Sequence, residues 1–301
     1  MTTLRQMRFL VALNDTGNFS RAAELCNVTQ STLSSGLKEM EARLGVKVAE
    51  RTTHSVLMTP EGSELADRAR DILARVGDFE DFAKAVSQTG ALRLRLGAIP
   101  TVGPYLLPRA LPKIRAALPG VNIYLREELT DSLVTGLVDG RLDLILIALP
   151  HDLPPQLHTE LLFEDGYSLA APRGHPLANL DTVTGGDLAG RDLMLLERGH
   201  CLQQHALSSV PGLMLGQDQD FSATSLPTLV SMVEEGLGVT LLPAVATDAG
   251  LTKGHDLHLS QLSGAQPRQV VLAWRQSTAN AALFGRIAAL LRNVRDSQPT
   301  Q

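Results

Sequence analysis

From Leu65 onward, apolar residues recur at Ala69, Ile72, Val76, Phe79, Ala83 and Val86, in steps that alternate between four and three. A run of this kind is a heptad seam, and only a long helix places all seven residues on one line. Pro60-Glu61 opens that helix, since proline is well suited to a first helical turn. A helix of about 27 residues spans roughly 40 Å, and its outer face is charged. That is too long for one small domain, so the seam predicts pairing with a second copy along Leu65, Ala69, Ile72, Val76 and Phe79. The plainer alternative is a single amphipathic helix lying on its own domain.

The seam divides the chain into a short head, the helix itself over residues 61–90, and a long body over 91–301. In the head, Leu4, Met7, Leu10 and Val11 share a helical face, widened by Phe9 and Leu13, until Gly17-Asn18 breaks the pattern. Ser20 is a suitable N-cap for a short helix over 21–26 that carries Ala22-Ala23. After a turn at Asn27-Val28, Thr29 caps a second helix over 30–44, with Leu33, Leu37, Met40 and Leu44 inward and Gly45 as its stop. Two short helices joined by so tight a turn form a helix-turn-helix. The Ala22-Ala23 pair lets them cross closely.

The outward residues of the second helix are Gln30, Ser31, Ser34, Ser35 and Lys38, short hydrogen-bonding groups and one cation that suit base edges and phosphates of a major groove. Residues 46–59 contain two β-prone stretches that read as a wing, placing Arg51 and His54 against phosphates or a minor groove. Ser20 joins them at the DNA-facing edge. An ordinary three-helix bundle with a polar surface would show much of the same pattern. Short polar groups are degenerate readers, so no operator sequence follows from them.

In the body the pattern changes. Strand-like runs cover 92–98, 121–127, 142–149, 167–171, 193–197, 239–242 and 270–274. Helical stretches fall at 105–118, 131–138, 201–208 and 226–235, with a last helix at 279–295. This alternation predicts an α/β fold built on a parallel sheet with crossover helices.

Charge follows the same division. The chain carries a net −5. Residues 1–60 hold seven Lys/Arg against five Asp/Glu, or +2, which leaves −7 on the remainder. A mildly basic head on an acidic body suits a DNA-binding module attached to a larger domain. No apolar run approaches the roughly 20 residues that cross a bilayer, and the N-terminus lacks a signal-peptide cleavage site, so no membrane partner and a cytoplasmic location are expected. The two cysteines, Cys26 and Cys201, make neither a disulfide framework nor a metal site, and both read first as small buried hydrophobes. No glycine-rich phosphate loop follows a strand, which leaves a phosphate-binding enzyme unsupported, and neither a metal nor a cofactor is expected.

The head sequence FLVALNDTGNFSRAAELCNVTQSTLSSGLKEMEARLGVKVAERT, with MTPEG opening the linker helix, resembles the LysR-type transcriptional regulators, and the resemblance extends over essentially the whole chain. It implies a winged helix-turn-helix over 1–60, a linker helix, and an effector domain of two Rossmann-like lobes, here 91–163 with 269–301 and 164–268. The ligand site of that architecture is the cleft. It also implies a homodimer or homotetramer on an interrupted inverted repeat of double-stranded promoter DNA, with RNA polymerase as a further partner.

The segments LGAIPTVGPYLLPRALP, LDLILIALP, LMLLERGHCL and TLLPA are similar to the hydrogen-peroxide-sensing members of that family. Carried over by local match, the peroxide-reactive thiol is Cys201, preceded by His200, and the pocket residues are Thr101, Thr130 and Arg268. The chemistry is consistent with this. Thiolate is the nucleophile, so a sensor cysteine needs positive potential, and a helix opening at Cys201 after a strand would supply it. Thr101 and Thr130 each follow a strand at the start of a helix, the usual ligand crevice of open α/β sheets.

The chain departs from that branch at one position. Those sensors carry a second, resolving cysteine nine residues after the first, and here that residue is Val210. A bond from Cys201 to Cys26 would require distant domains to meet within about 6 Å. Three readings stay open: a sulfenic acid or mixed disulfide on Cys201 alone, a Cys201 bond between subunits, or loss of peroxide sensing in favour of a small anionic metabolite held by Thr101, Thr130 and Arg268. A thiol peroxidase would leave the head and the heptads without purpose, and a periplasmic binding protein would leave the first 90 residues unexplained. The expectation is therefore a regulator and not an enzyme.

Overall fold

A computed structural model describes residues 1–51, 56–88, 92–190, 192–197 and 222–296. The chain forms two compact units, Met1–Thr89 with Val138–Arg141, and Gly90–Leu137 with Leu142–Gln301.

The first unit begins with α1 (Leu4–Thr16), α2 (Phe19–Leu25) and α3 (Gln30–Leu44). A capping box starts α1: the Thr3 hydroxyl accepts from the Gln6 backbone N–H at 3.2 Å, and the Gln6 side chain accepts from the Thr3 N–H at 3.1 Å. Gly17 ends it with φ 57°, a left-handed value glycine adopts freely. The cap of α2 is Asn18 and not Ser20: Asn18 Oδ1 accepts from the backbone of Ser20 at 2.8 Å and Arg21 at 3.1 Å, so Ser20 lies inside the helix. Asn18 wins because it stands at the break itself, where its side chain reaches two free N–H groups at once. Thr29 caps α3 as expected, and Gly45 ends it.

The core of this unit joins Phe9, Leu10 and Leu13 of α1 to Ala22 and Ala23 of α2 and to Leu33, Leu37 and Met40 of α3. The wing is an antiparallel pair, β1 (Ala49–Arg51) and β2 (Val56–Met58), after which α4 runs from Pro60 to Gln88. Leu33 has no solvent exposure. Leu33→Ala is therefore expected to cost about 2–5 kcal/mol, read by urea unfolding of the full chain. A loss below about 1 kcal/mol would show that the site collapses around the smaller residue.

The second unit is mixed rather than purely parallel. In chain order it contains β3 (Leu92–Ala98), α5 (Gly103–Ala117), β4 (Val121–Glu127), α6 (Thr130–Val138), β5 (Leu144–Leu149), β6 (Leu157–Asp165), β7 (Tyr167–Pro172), β8 (Thr182–Val183), β9 (Leu193–Leu196) and β10 (Ser222–Ala223). Then follow α7 (Leu226–Glu234), β11 (Val239–Pro243), α8 (Ala244–Asp248), β12 (Leu257–Leu262), β13 (Arg268–Arg275) and α9 (Ala281–Asp296). Among the described residues they form a five-stranded sheet, β4-β3-β5-β13-β6, and a six-stranded sheet, β10-β9-β11-β7-β12-β8.

β3 pairs in parallel with β4 and β5, whereas β13 runs antiparallel to both β5 and β6. The cause is connectivity. The chain leaves the first sheet at Gly166, lays down all six strands of the second, and returns through residues 263–267, so β13 enters opposite to the strands laid down by crossover helices.

Candidate effector site and DNA-reading face

β3 and β4 are adjacent, parallel and in register, with Ala98 opposite Glu127 at their ends. Thr101 and Thr130 each lie three residues beyond that pair. Both therefore stand at the carboxyl edge of the sheet, where α/β folds bind ligands. Both are buried, at 2% and 3% exposure.

The Thr101 hydroxyl accepts from Arg268 Nη1 at 3.0 Å, and its backbone carbonyl accepts from Nη2 at 3.2 Å. Arg268 stands opposite Asp165 in the β13–β6 ladder. Its Nε and Nη2 donate to Asp165 Oδ2 at 3.0 and 2.8 Å, and both side chains are fully buried. The other carboxylate oxygen accepts from the Val245 N–H of α8 at 2.8 Å. The charge of Arg268 is thus compensated by a partner that sequence reasoning missed. Asp165 ends a strand mixed with His158, Thr159, Glu160 and Glu164, and nothing in that pattern marks it as buried.

Thr130 differs from Thr101. Its hydroxyl is inaccessible and has no hydrogen-bond partner among the described residues. An unpaired buried polar group is costly, by about 1–3 kcal/mol, and calls for an explanation. At the first turn of α5, Tyr105 packs against the core of the second sheet. Its hydroxyl is pushed up to about 12, mainly by burial and further by the Glu127 charge, so it stays a neutral donor. The structure thus joins Thr101 to Arg268 and sets Thr130 at the matching strand end. His200, Cys201 and Val210 lie outside the described residues.

On α3, Gln30, Ser31, Ser35 and Lys38 are exposed and Ser34 is half-buried. Ser20 Oγ lies 3.5 Å from Gln30 Oε1, which brings the first turn of α2 to the start of α3. The backbone of Arg51 belongs to β1, while its side chain and all of His54 fall outside the described residues. Cys26 is half-buried rather than buried, and its thiol pKa is raised, burial outweighing the lowering effect of Arg8.

Along α4, Leu65 packs against the head core and Ala69 is 4% exposed. Ile72 and Phe79 are 41% and 73% exposed, and Val76 is half-buried. The first turns of the heptad seam are therefore used within the head, where α4 lies along α1. The apolar residues open to solvent begin at Ile72. Among the described residues no helix is long and apolar enough to cross a membrane.

A winged helix-turn-helix followed by a long helix and a two-sheet α/β body with a buried polar site at the strand ends defines a DNA-binding transcriptional regulator. Residues 4–63 match the bacterial regulatory helix-turn-helix family of LysR type, and residues 87–296 match the LysR substrate binding domain. The chain belongs to the LysR family.

It is 36% identical over 289 residues to the hydrogen peroxide-inducible genes activator of Escherichia coli O6:H1, covering 96% of this chain and 94% of that one. The HTH-type transcriptional regulator EstR of Acinetobacter baylyi is also 36% identical, over 295 residues, covering 98% and 97%. Among solved structures, a full-length OxyR cysteine-to-aspartate variant from Pseudomonas aeruginosa matches with a TM-score of 0.72 at 31% identity, covering 100% of this chain and 99% of that one.

Proposed function

We propose that this LysR-family regulator senses hydrogen peroxide through oxidation of Cys201, with Thr101 and Thr130 holding the oxidant and no intramolecular disulfide formed. The observation that carries the reading is the buried Thr130 hydroxyl, without a hydrogen-bond partner among the described residues, at the strand edge it shares with Thr101 and a charge-compensated Arg268. Such a site suits a small, neutral, hydrogen-bonding ligand. The relative named for hydrogen peroxide induction and the Gly199-His200-Cys201-Leu202 segment support it.

In the reaction, the Cys201 thiolate attacks one peroxide oxygen. A sulfur–oxygen bond forms, the oxygen–oxygen bond breaks, and hydroxide leaves to take up a proton as water. The sulfur is oxidised to sulfenic acid and the peroxide is reduced. With Val210 where a resolving thiol would stand, the oxidised product is the sulfenic acid or its mixed disulfide with a small thiol.

The DNA contacts of this reading are Gln30, Ser31, Ser34 and Lys38 of α3, with Ser20, Arg51 and His54 beside them. Copies pair along α4 from Ile72 outward, as a homodimer or homotetramer on an interrupted inverted repeat near RNA polymerase. A second reading is a regulator responding to a small anionic metabolite, and the equally identical EstR is a relative whose name does not refer to hydrogen peroxide. The Arg268–Asp165 pair weighs against it, because an anion would meet no uncompensated charge on that arginine.

Footprinting on operator DNA with and without stoichiometric peroxide separates the two readings. Wild type is expected to change its footprint and Cys201→Ser to lose the change entirely. A peroxide-dependent change that survives in Cys201→Ser would refute the thiol mechanism.

A further inference from the structure

The joint between the recognition helix and the linker helix is built from backbone groups held by two side chains. Glu41, on the last turn of α3, accepts the Val48 N–H at Oε1, 3.0 Å, and faces Lys47 Nζ at Oε2, 3.5 Å. Its side chain is only 12% exposed, whereas that of Lys47 is 80% exposed. The effective contact is thus the one to the backbone, since an exposed ion pair adds little.

Thr59 meets the same segment from the other side. Its hydroxyl donates to the Lys47 carbonyl at 2.7 Å and accepts the Gly62 N–H at 2.9 Å, while its own N–H donates to the Val48 carbonyl at 3.0 Å. One hydroxyl therefore caps α4 and ties it to residue 47. Gly62 completes the joint. A Cβ there would lie 2.0 Å from the Val48 carbonyl oxygen and 2.8 Å from its Cα, so only glycine lets the first turn of α4 approach this strand entry. Val48 is 1% exposed and belongs to the head core, so the clamped segment cannot drift.

We propose that Glu41 and Thr59 are positioning residues for operator recognition: by clamping Lys47-Val48 between α3 and α4, they fix the angle at which each recognition helix is presented from the linker helix. No DNA contact is assigned to either residue. In an oligomeric reader, that angle sets the distance between the two major grooves entered, and so the half-site spacing that binds best.

The test uses the full-length protein and a pool of random-sequence DNA duplexes, with the spacing between half-sites read from the selected sequences. Wild type is expected to select one sharply preferred spacing. Thr59→Val, which keeps the shape but loses both hydrogen bonds, is expected to spread the selection over several spacings. Its specific-to-nonspecific affinity ratio should fall about tenfold. Thr59→Ser keeps the hydroxyl and is expected to restore the wild-type distribution, and Glu41→Ala is expected to broaden it as Thr59→Val does.

The slope of log affinity against log salt should not change, because no phosphate contact is removed. Circular dichroism and the helix-turn-helix melting transition identify any variant that fails to fold. If Glu41→Ala does not fold, the comparison of Thr59→Val with Thr59→Ser decides alone. The same single spacing selected by Thr59→Val as by wild type overturns the proposal, as does a broadened distribution that Thr59→Ser fails to restore.

Discussion

Asp165→Asn is expected to destabilise the effector unit by about 3–5 kcal/mol. The reason is the asymmetry of buried ion pairs. Arg268 and Asp165 have no solvent exposure, so removing one partner leaves the other charged, dry and only partly hydrogen-bonded. Asparagine keeps the volume and one acceptor, so a loss of this size reports charge and not packing. The pair also occupies a sensitive place. Asp165 directly precedes the Gly166 passage out of the five-stranded sheet, Arg268 opens the strand on which the chain returns, and Val245 of the six-stranded side is hydrogen-bonded to the same carboxylate. Replacing both charges, as Asp165→Leu with Arg268→Met, is expected to recover most of the stability, because hydrophobic substitution of a buried pair is often neutral or better. Urea unfolding of the three proteins decides it. A single variant that loses less than about 1 kcal/mol, or a double variant as weak as the single, would show that the pair is not the closed unit the geometry describes.

The caps and stops of the head are legible in the sequence, because their signals are local. Its inward faces are only partly so: Leu4 and Leu44, read as inward, are 39% and 43% exposed, and α1 buries Phe9, Leu10 and Leu13 instead. A helix stop at Gly17, a cap at Thr29, a stop at Gly45 and an inward stripe of Leu33, Leu37 and Met40 all act within one or two turns. The miss at Ser20 is local too: both Asn18 and Ser20 are capping residues, and the choice depends on where the backbone leaves the previous helix. In the body, β5 and β11 announce themselves as apolar runs, and β3 and β4 as regular alternations of apolar and polar residues. β6 and β12 do not, since each mixes charged or polar residues with leucines, and pattern alone does not separate such a strand from a loop.

The site divides in the same way. Thr101 and Thr130 follow strong strands, and that position together with family likeness marks them, whereas Asp165 is invisible. Its burial depends on Arg268, which lies across the ladder and far along the chain, and no short-range pattern connects them. The heptad seam reads correctly as a helix. Its division of labour, with Leu65 and Ala69 kept for the head and Ile72 and Phe79 open to solvent, depends on where α1 lies.

Thr130→Val is expected to separate stability from sensing. The hydroxyl it removes is buried without a partner among the described residues, and such a group costs the folded protein about 1–3 kcal/mol. Valine has nearly the same shape, so the reduced variant should be as stable as wild type or more so in thermal unfolding. Sensing should move the other way. If this hydroxyl holds a peroxide oxygen during attack by Cys201, its loss removes a hydrogen bond from the reacting complex, and one such bond corresponds to about a tenfold to hundredfold fall in the second-order rate of sulfenic acid formation. Mass spectrometry after brief exposure to limiting peroxide reads that rate as the fraction of Cys201 gaining one oxygen. Thr130→Ser retains the hydroxyl and is expected to keep the rate to within a few-fold. Oxidation of Thr130→Val at the wild-type rate would remove Thr130 from the sensor. A stability loss above about 1 kcal/mol would show instead that the hydroxyl has a structural partner. Increased stability together with a slowed sensor has a simple physical meaning: a polar atom that no other described residue satisfies is the one the oxidant satisfies.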